Sequence, residues 1–242
     1  MGLLDRVRLH RGRWQDVLID TYADHMIVDA PYSDRTHRGG EYSSATVGGR
    51  RPVADAYASW NGDDVAEACK WARDHVGGWV VSLTDHILFP IWEANLSALG
   101  YLTFAPVVVV ETGRSVRLAG DGPACWTTML VVARPRTREA SRWRALPGAY
   151  VTTRSIDKMQ GGKPLDVMRQ IVRDYSNEGD SVVDLCAGYG TTLLAAAIEG
   201  RTAIGAEMDP ETHAKATRRL YDHLHMPLFD GGHMEQGNLW GD

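Results

Sequence analysis

The fold of this chain follows from one short segment, Val182-Val183-Asp184-Leu185-Cys186-Ala187-Gly188-Tyr189-Gly190-Thr191-Thr192. It starts as an apolar strand, turns on two glycines and continues into an alanine-rich helix that Gly200 ends. Glycine allows backbone angles and close approaches that a side chain would block. The start of a helix also presents unpaired N–H groups to an anionic group. The stretch therefore predicts a strand, a turn and a helix, with a ligand held at the turn.

Glu207 points to the kind of ligand, because it ends the next predicted strand 23 residues after Asp184. A carboxylate about 20 residues beyond the first strand commonly holds a ribose diol. A dinucleotide fingerprint needs a third glycine, and Leu193 stands there. A ligand with a ribose and a carboxylate but no phosphate fits better, and S-adenosylmethionine is one. The predicted cofactor-binding residues of this unit are Asp184, Cys186, Ala187, Gly188, Gly190, Thr191, Thr192 and Glu207. An NAD-dependent oxidoreductase and an ordinary turn without ligand remain as alternatives.

Strand and helix signals alternate along the rest of the chain, which is typical of an α/β fold with a mostly parallel sheet. Predicted strands cover 7–10, 26–28, 79–83, 101–110, 126–133, 181–185 and 202–207. Predicted helices cover 14–18, 63–76 with Asp63 as the cap, 86–99, 191–199 and 209–227, and a further helix begins at Pro164. We expect a single domain over 1–242 with a loop at about 33–62, which is rich in glycine, serine and arginine.

Composition excludes several classes of protein. The 242 residues are 44% hydrophobic and 24% charged with a net charge of −5, which is ordinary for a globular protein. Three cysteines without a pattern predict neither a disulfide framework nor a zinc site, and the nine histidines show no metal-binding spacing. No apolar run reaches the length of a membrane helix. We expect a cytoplasmic protein that binds neither a metal nor a membrane.

The string Asp29-Ala30-Pro31-Tyr32 follows a short apolar strand, and with it the chain resembles the amino-group DNA methyltransferases. The similarity is to members in which the D-P-P-Y motif precedes the cofactor motif. Three further segments match in order: Lys163-Pro164-Leu165, then 183–192, which is similar to V-L-D-P-F-x-G-S-G-T-T, then 201–207 with a following R-L. The resemblance spans roughly residues 1–225. It implies the doubly wound, Rossmann-like methyltransferase fold, mostly parallel with an antiparallel pair (101–110 and 126–133) at one edge.

The resemblance also implies roles for these residues. It makes Asp29, Ala30, Pro31 and Tyr32 catalytic: the carboxylate and a main-chain carbonyl accept hydrogen bonds from an exocyclic amino group, and the tyrosine stacks on a flipped base. Lys163 and Pro164 join the cofactor side. The aspartate that begins the motif favours adenine N6 over cytosine N4. The chain departs from the pattern at Ala30, where the family has proline, and at 11–13, where an acidic residue is common.

Arginine clusters mark candidate contacts with DNA, because basic side chains supply most of the affinity for phosphates. Residues 134–163 contain eight basic residues against two acidic ones. We expect a small target-recognition region at about 134–162, and therefore a short target site or help from a second subunit. The predicted nucleic-acid-binding residues are Arg35, Arg38, Arg136, Arg138, Arg142 and Arg144. An RNA methyltransferase and a non-catalytic partner that binds cofactor or DNA are the alternative functions.

Overall fold

The computed structural model describes residues 6–36, 59–112, 126–136, 145–153 and 163–225. Nine strands and six helices lie in these ranges. The strands are β1 (Val7–Arg11), β2 (His25–Asp29), β3 (Val80–Thr84), β4 (Tyr101–Thr103), β5 (Val107–Thr112), β6 (Thr127–Pro135), β7 (Ala149–Thr153), β8 (Ser181–Asp184) and β9 (Thr202–Glu207). The helices are α1 (Trp14–Val17), α2 (Gly62–His75), α3 (Phe89–Ala98), α4 (Leu165–Tyr175), α5 (Thr191–Ile198) and α6 (Pro210–His225).

The strands form one mixed sheet in the order β1-β9-β8-β2-β3-β6-β5-β7, with β4 also paired to β6. Every pair is parallel except those made by β6, which runs against β3, β4 and β5. The predicted α/β class and the mostly parallel sheet are confirmed. The reversed strand β6 lies inside the sheet, between β3 and β5. The antiparallel pair is not at the edge, because β7, which was not predicted from the sequence, adds to β5 beyond it.

The predicted strand over 101–110 is two strands in the structure. Pro106 separates β4 from β5, and proline has no N–H to give to a ladder. Both short strands pair with the long strand β6, so both still belong to the sheet. The first cap also differs: Asn61, and not Asp63, caps α2, and its side chain accepts from the N–H groups of Asp63 and Asp64.

The sheet has a hydrophobic core on each face, as a doubly wound fold requires. Side chains alternate across β2: Ile27 belongs to one core, while Met26 and Val28 belong to the other. Helices α4, α5 and α6 cover the first face, and α1, α2 and α3 cover the second. Burial on both faces explains why the apolar residues of β2, β3 and β8 follow one another without alternation with exposed polar residues.

The sheet changes direction between β8 and β2. From β8 the chain winds outward through α5 to β9, and from β2 it winds the other way through α2 to β3. In open α/β sheets, ligands bind at the carboxyl ends of the strands beside such a switch. The fold therefore assigns the functional site to the end of the sheet where β8 and β2 finish. In the described part of the chain, no helix is both long enough and apolar enough to cross a membrane.

Candidate functional site

The structure brings the two sequence motifs together at the switch in the sheet. Strands β2 and β8 pair side by side and in parallel, with Met26 opposite Val183, so Asp29 and Asp184 leave the sheet at the same end. Strand β9 lies on the other side of β8, with Gly205 opposite Asp184, and Glu207 ends it two residues later. Three carboxylates from three adjacent strands thus lie at the same end of the sheet, where open α/β sheets have their ligand crevice.

The glycine turn after β8 has the backbone that the sequence predicted. Gly188 and Gly190 have φ angles of 51° and 76°, in the left-handed region that favours glycine. Gly190 is the N-cap of α5, and a Cβ on it would lie 3.2 Å from a methyl carbon of Leu220. Thr191 and Thr192 begin α5 and are buried. The turn therefore aims the start of a helix into the crevice.

Glu207 is tied to the glycine turn by hydrogen bonds. Its Oε2 accepts from the Gly188 N–H at 2.9 Å, and its Oε1 accepts from the Asp209 N–H at 2.8 Å. Each carboxylate oxygen can accept a second hydrogen bond, so lone pairs remain for a ligand. Ala187 is also fixed here, because its N–H donates to the Ala206 carbonyl across the two strands at 2.9 Å.

Burial and the neighbouring acids perturb two groups on this side of the crevice. Asp184 is 1% exposed, and its pKa is raised to about 7, first by burial and then by the charges of Asp29 and Glu207. Hydrogen bonds from Thr192 and from the Cys186 N–H oppose the shift. Burial and the same acids raise the pKa of the Cys186 thiol well above its usual value. That thiol is therefore protonated at neutral pH and is a poor nucleophile.

The opposite side of the crevice is built on an ion pair between Asp29 and Lys163. The Lys163 Nζ donates to both oxygens of Asp29, at 2.9 and 3.1 Å. The two side chains, of Lys163 and Asp29, are 14% and 26% exposed. The ammonium also lies 4.9 Å from the ring centroid of Tyr32, within the range of a cation–π contact. Lys163 thus contacts the residues at both ends of the Asp29–Tyr32 string.

Both contacts shape the acid–base character of Lys163 and Tyr32. Burial by itself would lower the pKa of Lys163, but the charge interactions with Asp29 and Tyr32 and the hydrogen bonds to both residues together outweigh burial, and the pKa is raised. Burial raises the pKa of Tyr32, whose hydroxyl lies inside the protein. The lysine is therefore a fixed cation and the tyrosine a neutral ring at any ordinary pH.

The remaining residues of the two predicted motifs lie beside this ion pair. Ala30 is 2% exposed and packs in the core on the α1–α3 face, and Pro31 follows it at the surface of the crevice. Pro164 is the N-cap of α4, so that helix begins directly after the lysine. The resemblance implied that Lys163 lies on the cofactor side, whereas its ammonium is paired with Asp29 in the structure.

The arginines predicted to bind DNA do not lie in one place. Arg35 is exposed, three residues beyond Tyr32 at the site end of the sheet. Arg136 is also exposed but follows β6, whose reversed direction carries it to the far end of the sheet, away from Asp29. The other four, Arg38, Arg138, Arg142 and Arg144, lie outside the described residues, as does most of the predicted loop and recognition region.

Two residues that the sequence analysis did not single out also serve this site. Asp85 follows β3 and accepts hydrogen bonds from the segment after Tyr32. Arg219 on α6 donates to the Tyr189 carbonyl at 3.1 Å and to the Thr191 hydroxyl at 2.8 Å, so it braces the glycine turn. The position of Asp85 directly after a strand was a usable signal, since Asp29, Asp184 and Glu207 all end strands. Among the described side chains, no group of three or more His, Cys, Asp or Glu residues is arranged to hold a metal ion.

Comparison with known families supports the resemblance stated above. Residues 135–218, from the end of β6 into α6, match the family model for N6/N4 methyltransferases, described as DNA methylase. Type II methyltransferase M.MthZI of Methanothermobacter thermautotrophicus is 35% identical over 69 residues. That alignment covers 28% of this chain and 19% of the relative, so the chain spans about a fifth of the curated protein it matches.

Solved structures share the fold over most of the chain. The SAM complex of M1.HpyAVI has a TM-score of 0.67 at 17% identity and covers 88% of this chain and 99% of its own. The S-adenosyl-L-methionine complex of TTHA0409, from Thermus thermophilus, has a TM-score of 0.58 at 21% identity, with coverages of 91% and 97%. The PvuII DNA methyltransferase, which is cytosine-N4-specific, has a TM-score of 0.60 at 14% identity, with coverages of 90% and 91%. The similarity to the N6/N4 DNA methyltransferase family that the motifs implied is therefore confirmed over residues 135–218, and the solved structures show the shared fold over 88–91% of the chain.

Proposed function

We propose that this protein transfers a methyl group from S-adenosylmethionine to an exocyclic amino group of a DNA base, with adenine N6 favoured over cytosine N4. The observation that carries the proposal is the meeting of the Asp29–Tyr32 corner with the Gly188–Gly190 turn at the switch in the sheet. The family match and the similarity to M.MthZI support the same class of reaction.

The residues on the β8–β9 side suit this cofactor. The first turn of α5 offers N–H groups to a carboxylate, and Glu207 offers oxygens to ribose hydroxyls. The two cations at this crevice are engaged, Lys163 with Asp29 and Arg219 with the glycine turn. Glu207, together with Asp184, which its pKa of about 7 leaves partly ionised at neutral pH, supplies negative charge on the cofactor side. Such a charge favours a sulfonium ligand over a phosphate ligand. When bound, S-adenosylmethionine supplies an electrophilic methyl group.

Asp29 activates the amino nitrogen in this mechanism. That nitrogen is a weak nucleophile because its lone pair is delocalised into the base. Lys163 uses one lone-pair direction on each oxygen of Asp29, so each oxygen keeps another for an amino N–H. A carbonyl of Ala30 or Pro31 is the second acceptor. As the N–C bond forms and the C–S bond of the methyl donor breaks, the nitrogen becomes positive, and an Asp29 oxygen stabilises that charge. The proton that the nitrogen then loses passes through the same oxygen to water.

Tyr32 provides the surface for the base. One side of its ring carries the Lys163 ammonium, so a flipped base stacks against the rest of the ring surface or displaces the lysine. Holding the base and the methyl donor in line supplies much of the rate. The carbonyl of Tyr32 accepts from the Trp60 N–H at 3.2 Å, so the ring is attached to a fixed backbone.

Arg35 is the described arginine that we assign to DNA phosphates, since it lies at the site end of the sheet. A duplex bound there would have to wrap around the sheet to reach Arg136. We therefore leave Arg136 out of the proposed interface. Of the predicted set, Arg38, Arg138, Arg142 and Arg144 stay predictions, and so does a second subunit.

The decisive experiment incubates the pure protein with methyl-labelled S-adenosylmethionine and either duplex DNA or RNA, and identifies the product nucleoside by mass spectrometry. We expect N6-methyladenine in DNA, and none with Asp29→Asn, which keeps the shape of the side chain but removes the charge. N4-methylcytosine would correct the base, and methylated RNA alone would replace the substrate. If the protein binds S-adenosylmethionine but transfers no methyl group to DNA or to RNA, whether or not a DNA-binding partner is added, the proposal is contradicted.

A further inference from the structure

Asp85 is a buried carboxylate that no step of the proposed reaction uses, although it lies at the site end of the sheet. Strand β3 pairs with β2 so that Leu83 is opposite Asp29, and Asp85 follows two residues later. Its side chain is buried and is bonded on both oxygens. Asp85 is therefore built into the neighbourhood of the Asp29–Tyr32 corner without facing the crevice itself.

The two oxygens of Asp85 bind two different segments. The Oδ1 accepts from the N–H groups of Ile87 and Leu88, at 3.0 and 2.9 Å, and so fixes the turn before α3. The Oδ2 accepts from the Ser33 N–H at 2.9 Å and from the hydroxyls of Ser33 and Thr36, both at 2.5 Å. One charged side chain thus joins the end of β3 to the residues that directly follow Tyr32.

The carboxyl group of Asp85 is ionised at neutral pH. Burial would raise its pKa, but the hydrogen bonds from Ser33, Thr36 and Leu88 outweigh burial and lower it. Hydrogen bonds to an ionised acceptor are shorter and stronger than neutral ones. The Ser33 N–H and the Tyr32 carbonyl belong to one peptide unit, so the hydrogen bonds of Asp85 to Ser33 and Thr36, which we call the Asp85 grip, fix the peptide unit that follows the tyrosine.

We propose that Asp85 is a positioning residue for the proposed methyl transfer: its carboxylate holds Ser33 and Thr36 and thereby sets the place of the Tyr32 ring. This inference rests on the proposed function. It assigns to Asp85 the orientation of the base and not the binding of the cofactor, because its bonds go to 33–36 and 87–88 and none of those residues belongs to the glycine turn.

The substitution Asp85→Asn disturbs only the hydrogen bonds that this side chain makes toward Ser33, and not those toward Ile87 and Leu88. An asparagine keeps an oxygen toward Ile87 and Leu88 and then presents its NH2 toward Ser33. The two hydroxyls can rotate to accept from that NH2, but the Ser33 N–H cannot, so two donors face each other. The milder double variant Ser33→Ala, Thr36→Val removes the hydroxyl donors and keeps the backbone bond. Asp74→Asn, on the exposed face of α2, is the matched control.

We expect Asp85→Asn to lower kcat by about a hundredfold, the cost of a displacement of ~1 Å in a reacting pair. The Kd for S-adenosylmethionine should stay unchanged, the double variant should lie between Asp85→Asn and the parent, and Asp74→Asn should match the parent. In a DNA duplex with 2-aminopurine at the target position, the fluorescence of the flipped base should differ between the complexes of Asp85→Asn and of the parent. A loss of stability alone would not change the fluorescence of the complex that the folded protein forms.

Hydrogen exchange of the Ser33 amide, followed residue by residue, tests the grip without reference to activity. Protection should fall in Asp85→Asn and stay in Asp74→Asn. Equal transfer by the parent and Asp85→Asn, or a loss of cofactor affinity equal to the loss of kcat, would overturn the positioning role. If the parent transfers no methyl group to any nucleic acid while the Ser33 amide loses protection, the proposed function fails and the grip itself stands.

Discussion

The ion pair between Asp29 and Lys163 predicts a measurable coupling between two residues 134 positions apart in sequence. At the observed separation of about 3 Å, an effective dielectric constant of about 20 gives a Coulomb attraction of ~5 kcal/mol. The pair is not fully buried, with exposures of 14% and 26%, and ordering the lysine has an entropic cost. We therefore expect a net coupling of about 2–3 kcal/mol in the free energy of unfolding.

A double-mutant cycle with Lys163→Met, Asp29→Asn and the double variant measures this coupling by urea unfolding. Each single change leaves an unpaired charge inside the site and should cost about 3 kcal/mol. The double variant leaves neither charge, so its cost should be well below the sum of the two singles. Lys215 and Glu211, an exposed pair on α6, form the control cycle, in which we expect no resolvable coupling. A coupling below about 0.5 kcal/mol for Asp29 and Lys163 would refute the pairing, because residues that do not interact add within that limit.

Two further predictions concern the glycine-turn side of the crevice. Because the folded-state pKa of Asp184 is raised to about 7, its ionisation opposes folding, and the free energy of unfolding should decrease from pH 4 to pH 7 by up to about 1.4 kcal/mol per unit. Asp184→Asn should flatten that part of the profile of urea midpoints against pH, and an unchanged slope would contradict the assigned shift. Gly190→Ala should cost about 1–2 kcal/mol because its φ is 76°, and should weaken cofactor binding, whereas Gly77→Ala, with nothing within 4 Å of the added methyl, should do neither in thermal melts and titrations.

The sequence predicted those parts of the fold that depend on short-range patterns. The strand, glycine turn and helix around Gly188 could be found because the turn, the apolar run and the helix stop lie within about 20 residues, and each has a local physical cause. Strand β7 could not be found in this way. Only Tyr150 and Thr152 alternate inward along Ala149–Thr153, and the strand exists because β5 offers it a parallel partner. A pattern this short predicts a strand only when the neighbouring strand with which it pairs is known.

Short-range patterns also predict only part of the site. Asp29, Asp184 and Glu207 could be chosen from sequence because each ends an apolar strand, and parallel strands end together. The partner of Asp29 could not be chosen, since Lys163 precedes α4 and reaches the aspartate only after the chain has built five further strands. The resemblance implied an antiparallel pair over 101–110 and 126–133 but not which of the two strands is reversed. Because it is β6, Arg136 lies at the end of the sheet away from the site.

Ala30 is the place where this chain departs from the D-P-P-Y pattern, and the structure contains features that compensate for it. A proline would fix the backbone angle at that position, and alanine does not. Here the methyl group of Ala30 is buried at 2% exposure, so packing restrains the residue from one side. On the other side, the Trp60 N–H binds the Tyr32 carbonyl and Asp85 binds the Ser33 amide, which restrains the Tyr32–Ser33 peptide unit through both of its polar groups. The rigidity that the family pattern places in one ring is thus distributed here over a buried methyl group and two hydrogen bonds. Replacing Ala30 by proline should therefore add little to the rate in the parent and should recover part of the rate in Asp85→Asn.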